Sequence, residues 1–298
     1  MAERSCALLA ERAVLEIAGE DRYVFLQGLI SNDIEKVAAD RAIYAALLTP
    51  QGKYLHDFFI VAIGQAFLLD AEAARLADLK RRLGLYRLRA RVTFGENGER
   101  YVAAAAFGSD ALSLLDLPAE PGAAVPLAGG IAYVDPRLPE LGARLLLRRG
   151  AGLSPLKSAG FQVDDGTAYD RLRLSLGIPD GSRDLAVEKA ILLESGFEEL
   201  NGVDWQKGCY IGQELTARTK YRALIKKRLL PVTVEGPLPA PGTPVMLGDQ
   251  EAGEMRSGRE GLGLALLRLD ALDEASAGKP LTAGTARLVP KKPSWANF

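Results

Sequence analysis

Histidine and cysteine are scarce in this chain. Its 298 residues hold one histidine, His56, and two cysteines, Cys6 and Cys209. A single histidine excludes a histidine-rich metal site, and two cysteines cannot supply the four thiolates that hold an iron–sulfur cluster within one chain. No permanently bound metal is therefore expected. The two cysteines are 203 positions apart and read as separate thiols rather than a disulfide framework. Charge of one sign is also missing: the net charge of −1 argues against a surface that coats polyanions, so nucleic acid is not an expected partner. Long apolar runs are absent too. Gln65 and Asp70 interrupt the longest candidate, at 60–71, so no membrane partner is expected. The opening Met1-Ala2-Glu3-Arg4-Ser5-Cys6 lacks the layout of a signal or transit peptide, and a cytoplasmic location is expected.

What is present is the composition of an ordinary globular protein, with 48% apolar and 25% charged residues. Residues 13–18 read as a strand, and Asp21 as the cap of a helix carrying Val24, Phe25 and Leu29. Short apolar runs at 43–48, 54–61 and 66–70, parted by turn residues, read as strands. Leu76, Leu79 and Leu83 stand at helical spacing within 71–83. A strand is expected over 85–94, a turn at Asn97-Gly98, a strand over 100–106, a short helix near 109–116, and strands near 131–134 and 143–148. This alternation predicts a ferredoxin-like α+β unit over 43–148, within a body spanning 1–230. A further helix at 166–176 is expected to bury Tyr169, Leu172 and Leu176. Five prolines between 231 and 244 read as a spacer, and the glycine-punctuated β-type runs of 231–298 as a small β-barrel.

Chemistry concentrates in Lys207-Gly208-Cys209-Tyr210-Ile211-Gly212-Gln213-Glu214. Two glycines bracket a thiol, an amine, a carboxamide and a carboxylate, which suggests a shaped loop. A lysine two residues from Cys209 favours the thiolate, the form that attacks electrophiles and binds soft metals. Cys209 and Lys207 are thus the candidate reactive pair, with Gln213 and Glu214 fixing the loop. Two stretches are basic and free of acid. In each, three cations alternate, at 87, 89, 91 and at 218, 220, 222, so on strands they would line one face. Arg218 leads the second set. Such a face either receives an anion or is simply solvated.

The motif KGCYIGQELTART, from Lys207 to Thr219, resembles the signature of the YgfZ-type folate-binding proteins. It is similar in particular to their mitochondrial relatives, which act in maturation of iron–sulfur proteins. Phe25-Leu26-Gln27-Gly28-Leu29-Ile30-Ser31-Asn32-Asp33, Leu48-Thr49-Pro50-Gln51-Gly52-Lys53 and Leu176-Gly177-Ile178-Pro179-Asp180-Gly181 resemble further family segments in the family's order. The wider superfamily includes the glycine-cleavage T-protein, a tetrahydrofolate-dependent aminomethyltransferase. The resemblance implies its fold: a ring of ferredoxin-like α+β units with a small C-terminal β-barrel. It implies tetrahydrofolate or its polyglutamated forms as cofactor, with iron–sulfur assembly proteins and client iron–sulfur enzymes as partners. Asn32, Asp57, Tyr86, Tyr169, Lys207, Gln213, Glu214 and Arg218 would form its cleft: Asp57 matches one of two T-protein aspartates, the tyrosines offer stacking faces, and Lys207 meets a folate carboxylate. Where the aminomethyltransferases carry a pterin-gripping glutamate, this chain has Ser175, and His56 replaces the second aspartate. Those departures favour an accessory role in iron–sulfur assembly or repair over aminomethyl transfer, with a tRNA-modification role as a third possibility.

Overall fold

A computed structural model describes residues 4–95, 97–222 and 225–297; Met1, Ala2 and Glu3 of the N-terminal stretch and Ala223 and Leu224 of the second basic stretch lie outside the described residues. The chain divides into two compact units. The first comprises Met1–Pro50, Leu55–Tyr169 and Leu200–Gln213, and the second Gln51–Tyr54, Asp170–Glu199 and Glu214–Phe298.

Two sheets build the first unit. One has the order β11 (Gln162–Val163), β1 (Ser5–Leu8), β7 (Tyr101–Phe107), β10 (Ala143–Arg148), β9 (Gly130–Val134), β8 (Ala124–Leu127). The other has the order β3 (Ile43–Leu48), β4 (Tyr54–Ile63), β5 (Ala66–Glu72), β2 (Arg12–Ala18), β6 (Thr93–Gly95). Helices α1 (Arg22–Gln27), α2 (Leu76–Arg87) and α3 (Ser154–Ser158) accompany them. Strand β10 shows how the sequence serves both faces. Leu145 and Leu147 enter an apolar cluster with Cys6, Ala104, Leu156 and Phe161. Arg144, one residue out of phase, points to the opposite face, as the period of two requires.

Arg144 meets the other sheet there. Its Nη2 lies 2.5 Å from Oδ2 of Asp70 on β5, while Arg12 Nε donates to Oδ1 at 2.7 Å. Burial alone would raise the Asp70 pKa, but Arg12 and Arg144 outweigh it and the carboxyl is held below its usual value. The Arg144 guanidinium also lies 3.9 Å from the Phe59 ring centroid. Beside it, Arg137 pairs with Asp135 at 2.8 Å and stacks on Phe59 at 4.9 Å. Opposed charges this deep are tolerated because each is paired and hydrogen-bonded.

In the second unit, β12 (Lys227–Glu235), β15 (Leu262–Arg268), β14 (Gln250–Arg259), β13 (Pro244–Leu247), β16 (Leu281–Ala283) and β17 (Ala286–Pro290) close into a barrel in that order. Leu230, Val232 and Val234, alternate residues of β12, face its core with Met255 and Leu288. Closure leaves no free sheet edge. The chain passes from the first unit to the second along α4 (Thr167–Leu176) and α5 (Gln213–Tyr221), and α6 (Leu269–Ser276) follows β15. Asp170 binds Arg173, Arg183 and Arg259, with nearest approaches of 2.7, 3.1 and 2.7 Å, and so fixes α4 to β14.

Several expected elements differ. Helix α2 runs to Arg87 and the strand after it is only Thr93–Gly95, so Arg87, Arg89 and Arg91 do not share a strand face. Of the second triplet, Arg218 and Lys220 lie on the helix α5 and Arg222 one residue beyond it, so these cations do not line a strand face either. Near 109–116 there is only a 3-10 turn at Ser113–Leu115. On α4 the deeply buried side chains include Arg173 and Leu174, the former satisfied by Asp170 and Asp184, while Leu172 and Leu176 are partly buried. Asp21 stands at the start of α1 without capping it, since its carboxylate accepts the Arg91 N–H at 2.7 Å. Pro231 belongs to β12 rather than to a spacer. It lies one residue beyond the last β12–β17 pair, Val232 with Pro290, so its missing N–H falls outside that ladder, while its carbonyl accepts the Lys291 N–H at 2.9 Å.

His56, on β4, is 3% exposed and its Nε2 lies 3.0 Å from Oδ2 of Asp78 on α2. Burial lowers its pKa from 6.5 to about 4, Arg75 adds to this, and Asp78 opposes it. Burial would raise the Asp78 pKa, but hydrogen bonds from Arg82, Arg81 and His56 hold it well below the carboxylate range. The folded state thus keeps His56 neutral while the unfolded chain protonates first. Stability present above pH 6.5 is lost as the pH falls towards 4. Between pH 7 and 4.5 the unfolding free energy should fall by roughly 2–3 kcal/mol more in the unmodified protein than in a His56→Gln variant, measured by urea denaturation.

Candidate functional site

The loop containing Cys209 is anchored from its first residues. Asp204, 8% exposed, accepts the N–H groups of Gln206 (2.6 Å) and Lys207 (3.1 Å) on Oδ1, and Lys36 pairs with its Oδ2 at 2.5 Å. The Asp204 N–H donates to the Ser31 carbonyl at 3.0 Å. Aspartate readily forms such a turn because its short carboxylate reaches amides two and three residues ahead.

Lys207 then turns inward. Its Nζ donates to the carbonyls of Gln27 (2.7 Å), Ile30 (2.6 Å) and Asn32 (2.9 Å), where α1 has ended and carbonyls lack helical partners. The side chain is 3% exposed. Burial lowers its pKa from 10.5 to about 8, against the pull of Asp33 and Asp204, so near neutral pH the ammonium keeps three donors for three acceptors. Tyr210 is buried beneath the same ammonium, 5.1 Å from ring centroid to Nζ, and the Ile211 N–H reaches the Gly28 carbonyl at 3.2 Å. Gly208 and Gly212 have φ of +35° and +84°, which a β-carbon resists. With Lys207 and Tyr210 directed inward, Cys209 stands exposed as a free thiol, whereas Cys6 is buried.

The predicted residues assemble only in part. Lys207 and Asn32 come together, since Lys207 bonds the Asn32 carbonyl and the Asn32 amide binds the carbonyls of Tyr44 and Asn201, both at 2.8 Å. Lys207 is a staple for the loop, and its ammonium faces carbonyls rather than the thiol. Asp57 is 3% exposed and accepts the Tyr44 hydroxyl at 2.9 Å. Tyr169 is 7% exposed and packs 5.4 Å from Phe107, with Arg144 near its hydroxyl. Tyr86 lies on the outer part of α2, and Gln213, Glu214 and Arg218 on α5. Ser175 bonds the Leu172 carbonyl of its own helix at 2.8 Å.

Asn32 also borders a cavity of about 310 Å³ with Lys36, Arg41, Tyr44, Pro136 and Asn201. A folate would find two cations for its carboxylates here, Lys36 beside Asp204 and Arg41 3.7 Å from Glu120. The lining offers no carboxylate for the guanidine-like edge of a pterin. The cavity therefore fits the acidic tail of a folate and not its ring. Sequence reasoning missed Lys36, Arg41 and Asp204; of these only Asp204 had a local signal, an aspartate three residues before a lysine in a loop. Among the described residues no group of three or more His, Cys, Asp or Glu side chains gathers to hold a metal ion.

Replacing Lys207 by Met should leave three carbonyls without their donor. The expected loss is about 3 kcal/mol of unfolding free energy in urea, with faster proteolysis between Trp205 and Gly212.

The comparisons agree with this architecture. A family described as "CAF17, C-terminal beta-barrel domain" is matched over residues 226–298, the segment that closes into the barrel. The chain is 35% identical over 291 residues to the iron–sulfur cluster assembly factor IBA57, mitochondrial, of Mus musculus, covering 90% of this chain and 78% of that protein. For the Homo sapiens protein of the same name the identity is 36% over 283 residues, covering 88% and 77%. The glycine cleavage system aminomethyltransferase T from Bartonella henselae shares the fold, with a TM-score of 0.76 at 15% identity over 99% of this chain and 87% of that one. The relatives are named as mitochondrial, which overturns the cytoplasmic placement expected from the N-terminal sequence. On identity and coverage together, the chain belongs to the IBA57 family of iron–sulfur cluster assembly factors.

Proposed function

We propose that this protein acts in iron–sulfur cluster assembly by presenting Cys209 as one thiolate ligand to a cluster carried by an assembly partner. The observation that carries this reading is an exposed thiol on a loop held by the buried Lys207 ammonium and by the Asp204 turn. One cysteine supplies one of the usual four ligands, so the remaining positions belong to the partner. On binding, the Cys209 thiol releases its proton to solvent, and its sulfur takes one iron position as the partner's ligand leaves it. The cluster is cargo and its oxidation state is unchanged. A rigid loop suits this exchange, because a thiolate held in place loses little freedom on ligation.

The other readings have less behind them. Aminomethyl transfer would draw on Ser175, which bonds its own helix, and on His56, which is sealed against Asp78. Nucleic-acid binding would draw on basic strand faces, and those cations lie on helices and turns. Mixing purified protein with a cluster-loaded assembly protein under anaerobiosis should give a visible-absorbing complex with the unmodified chain and none with Cys209→Ser. The serine variant should keep its thermal midpoint yet fail to restore cluster-enzyme activity in cells lacking the protein. Full restoration would overturn the reading.

We further propose that reduced folate is a ligand, as in the YgfZ-type proteins that the loop motif resembles. Support comes from the cavity beside Asn32, whose lining includes two cations, Lys36 and Arg41, that would meet the carboxylates of a glutamate tail. Calorimetry should show affinity rising with glutamate number, and Arg41→Ala should blunt that rise. Equal binding of mono- and polyglutamates would remove the cavity from the proposal.

A further inference from the structure

Helix α2 is anchored by one side only. Leu79 and Leu83 are buried, while Lys80, Gly84 and Arg87, spaced four and three apart, lie on an exposed face. Beyond the helix the chain turns at Leu88, whose φ of 40° and ψ of −109° a β-carbon resists, and this leucine is 89% exposed. Leu85 is 64% and Tyr86 39% exposed beside it. An apolar side chain in a strained backbone, packed on nothing in its own chain, is a feature that folding alone does not explain.

The charges around it are also unmet. Arg81 and Arg82 share Asp78, and Arg91 is held by Glu20 and Asp21. Lys80, Arg87 and Arg89 have no acidic partner among the described residues. Three such cations on one small surface repel one another until an anionic surface covers them. Gly84 adds a separate indication. Its backbone is helical and a β-carbon placed there would meet nothing within 4 Å, so no packing within the chain calls for glycine, the weakest helix former after proline. Its effect is a dent between Lys80 and Arg87, where another backbone can come close.

We propose that the outer face of α2 and the turn at Leu88 dock an acidic helix of a protein partner. Its backbone crosses at Gly84, its carboxylates meet Lys80, Arg87 and Arg89, and an apolar pocket takes Leu88. Resting on the function proposed above, that partner is a cluster-assembly protein. A protein fits better than an anionic bilayer for two reasons. Arginine and tyrosine, enriched at protein interfaces where lysine is depleted, dominate the patch, whereas a charged membrane draws lysine and arginine alike. A leucine fixed at one backbone angle suits a pocket of fixed shape, which a fluid surface lacks.

Binding of a fluorescein-labelled helical peptide of glutamate, leucine and alanine, followed by anisotropy, tests the surface without any cluster. The unmodified protein should bind it with an affinity that falls with salt. Gly84→Leu should raise the thermal midpoint yet weaken binding roughly tenfold, a combination that a purely structural role would not give. Arg87→Glu/Arg89→Glu should weaken it similarly, and should fail to rescue cells lacking the protein while Cys209 alkylates at the unmodified rate. Equal peptide binding by these variants overturns the proposal, as does association with phosphatidylserine vesicles in place of the peptide. Peptide binding that survives in Cys209→Ser separates this surface from the role of the thiol.

Discussion

Asp70 accepting from Arg12 and Arg144 at once is the contact on which the first unit depends. One arginine comes from the same sheet and the other from the opposite sheet, so the carboxylate joins the two layers. Charges buried this far from water are stable only while every partner is present, and removing one leaves another exposed to the full cost of desolvation. Phe59 reinforces the arrangement by offering its ring to Arg12, Arg137 and Arg144. Apolar packing would hold two sheets together at many registers, whereas this pairing requires Asp70 to face Arg12 and Arg144 together.

The loop at 204–212 follows the same logic on a smaller scale. Carbonyls at the end of α1 and beyond it need donors, and Lys207 supplies them from a distant part of the sequence. Holding Lys207 and Tyr210 inside is what leaves Cys209 outside. The thiol's presentation is therefore a consequence of how the chain satisfies its own backbone. The same economy explains why Asp57 and Tyr169 are poor candidates for ligand contacts: both have polar partners in the interior.

Much of the architecture was legible because it rests on local patterns. The strands expected at 13–18 and 54–61, found at Arg12–Ala18 and Tyr54–Ile63, and the glycine-punctuated barrel follow from short apolar runs bounded by turn residues. The glycines of the cysteine loop correctly signalled a shaped turn, since both have positive φ. The sequence predicts a helix over 71–83 only, because Gly84 and the alternating arginines beyond it mimic a strand, whereas Leu79 and Leu83 hold a helix that runs to Arg87. The short cationic strand faces expected from that reading vanished with it.

The sequence by itself determined most of the strands, the barrel, the glycine-shaped turn of the KGCYIGQE loop and, through the near-absence of histidine and cysteine, the kinds of metal site this chain cannot build alone. Tertiary structure decided which charges are neighbours. Arg12 and Asp70 are 58 residues apart, Asp70 and Arg144 are 74, and Lys207 lies 175 or more from the carbonyls it binds. Periodicity reports which face a residue takes on its own strand or helix, but not which distant residue stands opposite. That depends on how the layers stack, and only then does a lysine beside a cysteine become a buried support rather than a neighbour of the thiol.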